Sequence, residues 1–360
     1  MLNNFTIELC ILFAVSLLSS LVITILFAHS KFKFIKRNDT NAIQASHETP
    51  VARIGGLSVM IALVFAGVPF LEIAYIWPNY LLLLLMSTFP VFVIGLCEDL
   101  GFFFRPRVRL LASVFSGVIF VCLFEQWLPR TDIPGLDLIM QWSPFGIGFS
   151  LFLASGVGHS FNLIDGLNGF SGFTAVGVGL SLAVISHQMG LIEHRDVLLI
   201  LSSAIAGFLV FNFPFGKIFL GDGGAYAIGH ILVWMAISIL FEAPNITPLA
   251  MLLIFFFPMA DTLLAIVRRV YFRAAISDPD RLHFHQLAMR SIEVLVLGHS
   301  HRYIANPLAT ALILPFALTP MLVGILLVLD RGKAIIALFL FTALFLMAYK
   351  ICMWLISQFS

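Results

Sequence analysis

The sequence predicts an all-α polytopic membrane protein, and three observations carry that expectation. Of its 360 residues 60% are hydrophobic and only 11% charged, whereas a soluble globular chain carries roughly a quarter charged residues. Mean hydropathy is +1.04. Apolar runs of about 18 residues or more, each able to cross a hydrocarbon core of about 30 Å, recur from one end of the chain to the other.

Apolar windows give about eleven candidate helices. The first, 5–28, lacks a basic n-region and an A-x-A-like cleavage site, so it reads as a retained span and not a removed signal peptide. Then come 54–71, 80–97 (opening YLLLLLM), 109–125, 144–160, 169–187, 197–213, 225–241, 246–267 (with FFFP at its centre), 307–329 and 333–356. There is no fixed-period repeat, low-complexity segment or soluble domain, so residues 1–360 are expected to form one membrane domain. Cys10, Cys97, Cys122 and Cys352 lie in or beside apolar runs without a metal-ligand spacing and are expected to be small apolar side chains. The net charge of +1 carries no nucleic-acid signal.

Basic residues orient the bundle. Connections after odd-numbered candidates hold most of the Lys and Arg, among them Lys31, Lys36, Arg53, Arg105, Arg107, Arg109, Lys217, Arg268 and Arg281. Those after even-numbered ones hold only Arg130, Arg195, Arg331 and Lys333. Short Lys/Arg-rich loops stay cytoplasmic, which predicts a periplasmic N-terminus and a cytoplasmic C-terminus. Five polar clusters fall in the same cytoplasmic connections: HETPVARIGG, LCEDLGFFFRPR, FNLIDGLNG, FLGDGG and DPDRLHFHQ. Their convergence on one membrane face predicts a single active site.

The residue types suggest phosphoryl transfer, which needs positioned phosphates and neutralised charge more than covalent help. Asp99, Asp165 and Asp222 sit at membrane boundaries and could gather around Mg²⁺, which takes one or two carboxylates plus water and phosphate oxygens. Each alone fits a helix cap or Asx-turn equally well. Asn162, Asp165 and Asn168 recur at intervals of three and would share a face if helical. Gly223 and Gly224 could offer free N–H groups to a phosphate at a helix start, and Arg53 could clamp phosphate oxygens. An extended segment would point His283 and His285, beside Arg281, the same way, toward a phosphate or sugar; no Cys or HExxH-like partner supports zinc. Asp261 lies within a predicted span, where an ionisable group faces a cavity or a partner. Arg268 is two turns further along the same face. Chemistry of this kind at a bilayer surface implies a lipid substrate.

In order and spacing, SHETPVARIGG, GLCEDL, FNLIDGLNG, FLGDGGAYAIG and DRLHFHQL resemble the polyprenyl-phosphate N-acetylhexosamine-1-phosphate transferases. These include the enzymes that start O-antigen and enterobacterial common antigen, and the phospho-MurNAc-pentapeptide translocase. The resemblance spans residues 46 to 287. It implies a phosphotransferase for substituted phosphate groups, in which undecaprenyl phosphate attacks the β-phosphorus of a UDP-sugar and UMP leaves. Mg²⁺ is the implied cofactor, with Mn²⁺ as substitute. Besides the two substrates, the implied partners are the bilayer of the bacterial inner membrane and a second copy of the chain. By this resemblance Asp222 holds the metal, and Glu98, Asp99 and Asp165 are catalytic. Asp99 lies at the lipid-phosphate end, as base or as orienting group. Asn162, with Asp165, serves the metal–diphosphate or nucleotide region. His283 and His285 bind diphosphate or sugar, and Arg53, Asn168 and Arg281 also bind substrate.

The chain departs from the family pattern twice: the usual Asp-Asp pair is Glu98-Asp99, and the usual His-x-His-His ends in Gln286. The peptidoglycan translocase signature favours consecutive histidines and a TPTMGG-like stretch, whereas this chain has HFHQ and TPVARIGG. A transporter would place ionisable groups near the bilayer midplane in matching halves, and Asp261 with Pro258 is the feature that fits it. A non-catalytic relative would explain Glu98 and Gln286 but not the retained acids and histidines.

Overall fold

The computed structural model describes residues 2–29, 51–67, 78–272, 282–297 and 301–359. Within them the backbone is helical, with one isolated parallel bridge between Ala52 and Ile218. In chain order the helices are α1 (Leu2–His29), α2 (Gly55–Ala66), α3 (Pro78–Asp99), α4 (Pro106–Phe124), α5 (Leu136–Met140), α6 (Ser143–Leu163) and α7 (Phe170–Gln188). They continue with α8 (Ile192–Asn212), α9 (Gly221–Glu242), α10 (Pro248–Ile254), α11 (Phe256–Tyr271), α12 (Phe284–Ile292), α13 (Arg302–Leu326) and α14 (Arg331–Phe359). Helices α4, α6 and α10 start with proline in their first turn, where its missing N–H is one no helical carbonyl would have received.

Among the described residues eight helices are long and apolar enough to cross a membrane: α1, α3, α4, α7, α8, α9, α13 and α14. This makes a multi-pass membrane protein, and three of the eleven sequence candidates look different in the structure. Candidate 246–267 is broken into α10 and α11, bent by 84°. Pro258 supplies the reason, since its ring has no N–H for the Ile254 carbonyl and clashes with it in a straight helix. Candidate 54–71 forms a 12-residue helix ending at Ala66. Candidate 144–160 is a 21-residue helix, but Ser150, Ser155, Gly156, Gly158, His159 and Ser160 dilute its hydropathy.

Helix α9 is the hub. Its membrane window is 94% buried, and α2, α3, α6 and α7 pack around it. Small residues let backbones meet, as helices in lipid require: a Cβ on Gly95 of α3 would lie 2.5 Å from the Gly223 Cα of α9. By contrast α1, α4 and α14 are only 22%, 17% and 22% buried in their spans and present Leu, Ile and Phe outward. A second apolar cluster joins α11, α12, α13 and α14. There the Phe284 ring stacks 5.8 Å from Phe316 and packs 5.2 Å from Phe345, fixing α12 against α13 and α14. The two ends of α9 are both polar. Asp222 stands at one, and at the other Ser238 and Glu242 meet His194 and Gln126, with His194 Nε2 2.8 Å from Ser238 Oγ. At 1.5 Å per residue these ends lie about 30 Å apart.

Candidate active site

The site forms where α9 begins. Gly221 adopts φ +77°, a left-handed conformation that glycine takes without steric cost, and the chain turns there from loop to helix. Just upstream, Phe219 N–H donates to Ala52 O at 2.8 Å, and Gly55 N–H and Gly56 N–H donate to Phe219 O and Leu220 O, each at 2.8 Å. The RIGG stretch is thereby zipped to the FLGDGG stretch, which carries Arg53 to Asp222, Nη2 to Oδ1 3.7 Å.

Asp99, at the end of α3, closes over the same helix end. Its Oδ1 accepts Asp222 N–H and its Oδ2 accepts Gly223 N–H, both at 2.9 Å. This corrects one sequence expectation. The Gly223 amide is not free for a phosphate, because a carboxylate from 124 residues away already occupies the positive helix end, where acids are favoured. Asp165, in the turn after α6, lies within electrostatic reach of Arg53 and Asp222. Burial pushes its carboxyl up to about 7, against the Arg53 guanidinium and with the Asp222 charge adding to the rise. Asn162, in the last turn of α6, donates Nδ2–H to Asp222 Oδ1 at 2.7 Å. Four separate segments thus deliver Arg53, Asp99, Asn162, Asp165 and Asp222 to one helix terminus.

Glu98 is also there, facing another way. It is buried, with Oε1 3.4 Å from Arg109 Nη1. Arg109 reaches the Tyr226 hydroxyl as well, at 3.5 Å, and the Tyr226 ring meets His159 edge-on at 4.5 Å. In the sequence Arg109 stands out only as a cytoplasmic-side basic residue and Tyr226 and His159 not at all, yet the spacing of the last two carries a signal: Tyr226 is one turn beyond Asp222 and His159 three residues before Asn162, on shared faces.

Asn168 does not join the acids. Helix α6 stops at Leu163, so the face shared at intervals of three does not continue past it. Asn168 is 4% exposed. Its N–H donates to Asn306 Oδ1 at 2.8 Å, its Nδ2–H to Pro214 O at 2.7 Å, and its carbonyl accepts Thr310 Oγ1–H. It ties the turn to α13 and to the segment after α8.

The histidine motif opens a helix and does not run extended. His283 caps α12 and His285 lies in its first turn, with rings 22° apart in tilt and 5.7 Å between centroids. Both face Asp261. His283 Nδ1 lies 2.9 Å from Oδ2, Phe284 N–H donates to Oδ1 at 2.8 Å, and His285 Nδ1 is 3.8 Å from Oδ2, too far for a hydrogen bond. His285 is wholly buried, and burial lowers its pKa against the pull of Asp261. It reaches the acid side of the site through Gly166, where a Cβ would lie 2.5 Å from His285 Nε2. Arg281 lies outside the described residues. Among those described, no three His, Cys, Asp or Glu side chains form a ready metal cage.

Residues 81–240 match the family model described as glycosyl transferase family 4. The chain is 27% identical over 304 residues to a probable undecaprenyl-phosphate N-acetylglucosaminyl 1-phosphate transferase of Bacillus subtilis, covering 84% of this chain and 81% of that protein. It is 28% identical over 288 residues to a decaprenyl-phosphate N-acetylglucosaminephosphotransferase of Mycobacterium tuberculosis, covering 71% and 68%. It is 27% identical over 208 residues to a phospho-N-acetylmuramoyl-pentapeptide-transferase of Streptococcus pneumoniae, covering 56% and 63%. These matches bear out the superfamily that the motifs resemble.

Proposed function

We propose that this chain, whose family-model match and relatives support the polyprenyl-phosphate hexosamine-1-phosphate transferase superfamily, transfers an N-acetylhexosamine 1-phosphate from a UDP-sugar to undecaprenyl phosphate. An oxygen of the lipid phosphate forms a bond to the β-phosphorus, the bond to the bridging oxygen breaks, and UMP leaves with the electron pair. The setting is the cytoplasmic face of a bacterial inner membrane, and the product is the first lipid-linked intermediate of a surface polysaccharide such as O-antigen. One observation carries the reading: three carboxylates, a guanidinium and an amide side chain from four distant segments meet at the start of α9.

The residues fit a divalent cation at Asp222 and Asp165. Burial raises the Asp165 carboxyl and the Asp222 charge adds to the rise, a cost that a cation held by these residues would relieve, and Mg²⁺ needs only one or two such ligands. When bound, Mg²⁺ or Mn²⁺ would neutralise charge on the diphosphate. The protein's own groups do the rest. Asn162 fixes the Asp222 carboxylate through its 2.7 Å hydrogen bond, and Arg53 offers a cation to phosphate oxygens beside it. Asp99 has committed both oxygens to backbone amides. These bonds suit it to orienting the site, and the reaction needs no strong base because a lipid phosphate is largely ionised near neutral pH. Glu98 acts through Arg109, which it holds beside Tyr226.

The test is a panel of donors with purified protein and undecaprenyl phosphate, scored by lipid-linked product. UDP-GlcNAc comes first, because the Bacillus and Mycobacterium relatives are named for that sugar, followed by UDP-GalNAc, UDP-FucNAc and UDP-QuiNAc. Product from an N-acetylhexosamine donor supports the reading. Product only from UDP-MurNAc-pentapeptide moves it to the translocase branch, and none from any donor contradicts it.

A further inference from the structure

Asp261 takes no part in the chemistry above, yet it is among the most committed side chains in the protein. It sits on α11, 2% exposed, 22 residues before His283. One oxygen accepts the Phe284 amide at 2.8 Å, and the other lies 2.9 Å from His283 Nδ1. Two turns further along α11, Arg268 holds the preceding residue: Nη1 donates to Leu282 O at 3.2 Å and to the Tyr349 hydroxyl at 2.8 Å. That hydroxyl donates to the same carbonyl at 3.1 Å. Asp261 and Arg268 do not pair with each other; together they hold residues 282–284 on one face of α11. From the other side His285 abuts Gly166, next to Asp165.

We propose that Asp261 is a positioning residue for the transfer reaction, holding His283 as the Nδ1–H tautomer and setting the histidine segment at a fixed distance from the Asp165 turn. An ionised carboxylate accepts hydrogen bonds and has no proton to give, so the proton in the Asp261–His283 bond belongs to Nδ1. Nε2 is then the nitrogen left for the donor substrate. It accepts from a sugar hydroxyl or amide when His283 is neutral and donates to a diphosphate oxygen when it is charged. A buried partner on the far nitrogen is the usual device for fixing which face of an imidazole works. The break at Phe255 serves the same end: α11 leaves α10 at 84°, and its Asp261 face meets the start of α12. The inference rests on the reading that His283 serves the donor.

The experiment uses full-length protein selectively labelled with ¹⁵N-histidine in detergent micelles, with H283Q identifying the His283 signals, beside UMP-release kinetics. Wild type is expected to show His283 protonated at Nδ1. Asp261→Asn keeps an oxygen for the Phe284 amide but turns an NH₂ toward His283. It is expected to lose the Nδ1–H tautomer, keep its thermal midpoint near wild type, raise the UDP-sugar KM and lower kcat/KM about 10–100-fold, the usual effect of removing such an outer partner. Asp261→Glu, which keeps a carboxylate, is expected to retain the tautomer and recover part of the activity; it also serves if the Asn variant does not fold. An Nδ1–H signal unchanged in Asp261→Asn, or activity lost only in step with the folded fraction, overturns the proposal. If wild type releases no UMP from any donor, the transferase reading fails, while the tautomer and its response to Asp261→Asn still decide the positioning claim.

Discussion

Gly166→Ala is a small change with a calculable consequence. Gly166 has no unusual backbone requirement among the left-handed glycines, so any effect comes from space. The added Cβ would lie 2.5 Å from His285 Nε2 and 3.0 Å from Cδ2, short of van der Waals contact by most of an ångström on the nearer atom. His285 has little room to yield: it is wholly buried, with Phe170 stacked 6.2 Å away and His283 at 5.7 Å. Overpacking of this kind costs about 1–3 kcal/mol. Relief by moving the 164–169 turn displaces Asp165, and a displacement of about 1 Å near reacting groups can cost about 100-fold in rate. The expected result is a thermal midpoint lower by a few degrees and kcat/KM for UMP release down about 100-fold. In an His285→Ala background, where the imidazole is gone, the added methyl should cost much less, a coupling that contacting pairs show and distant pairs do not. Wild-type stability and rate in Gly166→Ala, or equal cost in both backgrounds, would refute the packing argument.

Two other perturbations report on the acids. Asp99→Asn leaves one acceptor for two amides at the start of α9 and points an NH₂ at the other. An unsatisfied buried N–H costs about 1–3 kcal/mol, so thermal unfolding followed by intrinsic fluorescence should shift down while UMP release falls; an unchanged midpoint contradicts the capping role. Asp165 gives a pH dependence of defined sign. Its folded value of about 7 lies above the ordinary 3.8, so its contribution to stability is fully present below 3.8 and is lost as pH rises through about 7. Measured without divalent cations, the midpoint of wild type relative to Asp165→Asn should fall between about pH 4 and 7 and level off above that, and Mn²⁺ should bind wild type more tightly as pH rises. Parallel curves for the two proteins count against this assignment.

What could be read from the chain was the set of polar residues that an apolar environment makes expensive. Asp99, Asp165, Asp222, Asn162 and Arg53 stand out against Leu, Val and Phe, and the structure brings all five together. What could not be read was which backbone amides they meet. Asp99 and Gly223 are 124 residues apart, and only the packing of α3 on α9 makes one the cap of the other. Asp261 was legible as an oddity, since a carboxylate inside an apolar helix needs a partner. Its partner lies across a broken helix and a connection, beyond any local spacing rule. The opposite error came from extending local rules too far: Asn168 keeps the three-residue interval from Asp165, but the helix that would give the interval meaning ends at Leu163. The described residues hold eight long apolar helices against eleven candidates, partly because one apolar window runs across the break before Pro258 and another takes in α6, whose Ser and Gly residues dilute its hydropathy.

The measurement that tests the central claim most directly is release of radiolabelled UMP from UDP-GlcNAc by purified protein with undecaprenyl phosphate and Mg²⁺, run side by side for wild type and Asp222→Asn. Wild type should release UMP in proportion to the lipid phosphate supplied. The variant should remain folded and release none, because it lacks the charge around which Arg53, Asn162 and Asp165 are arranged. Full activity in folded Asp222→Asn would contradict the account.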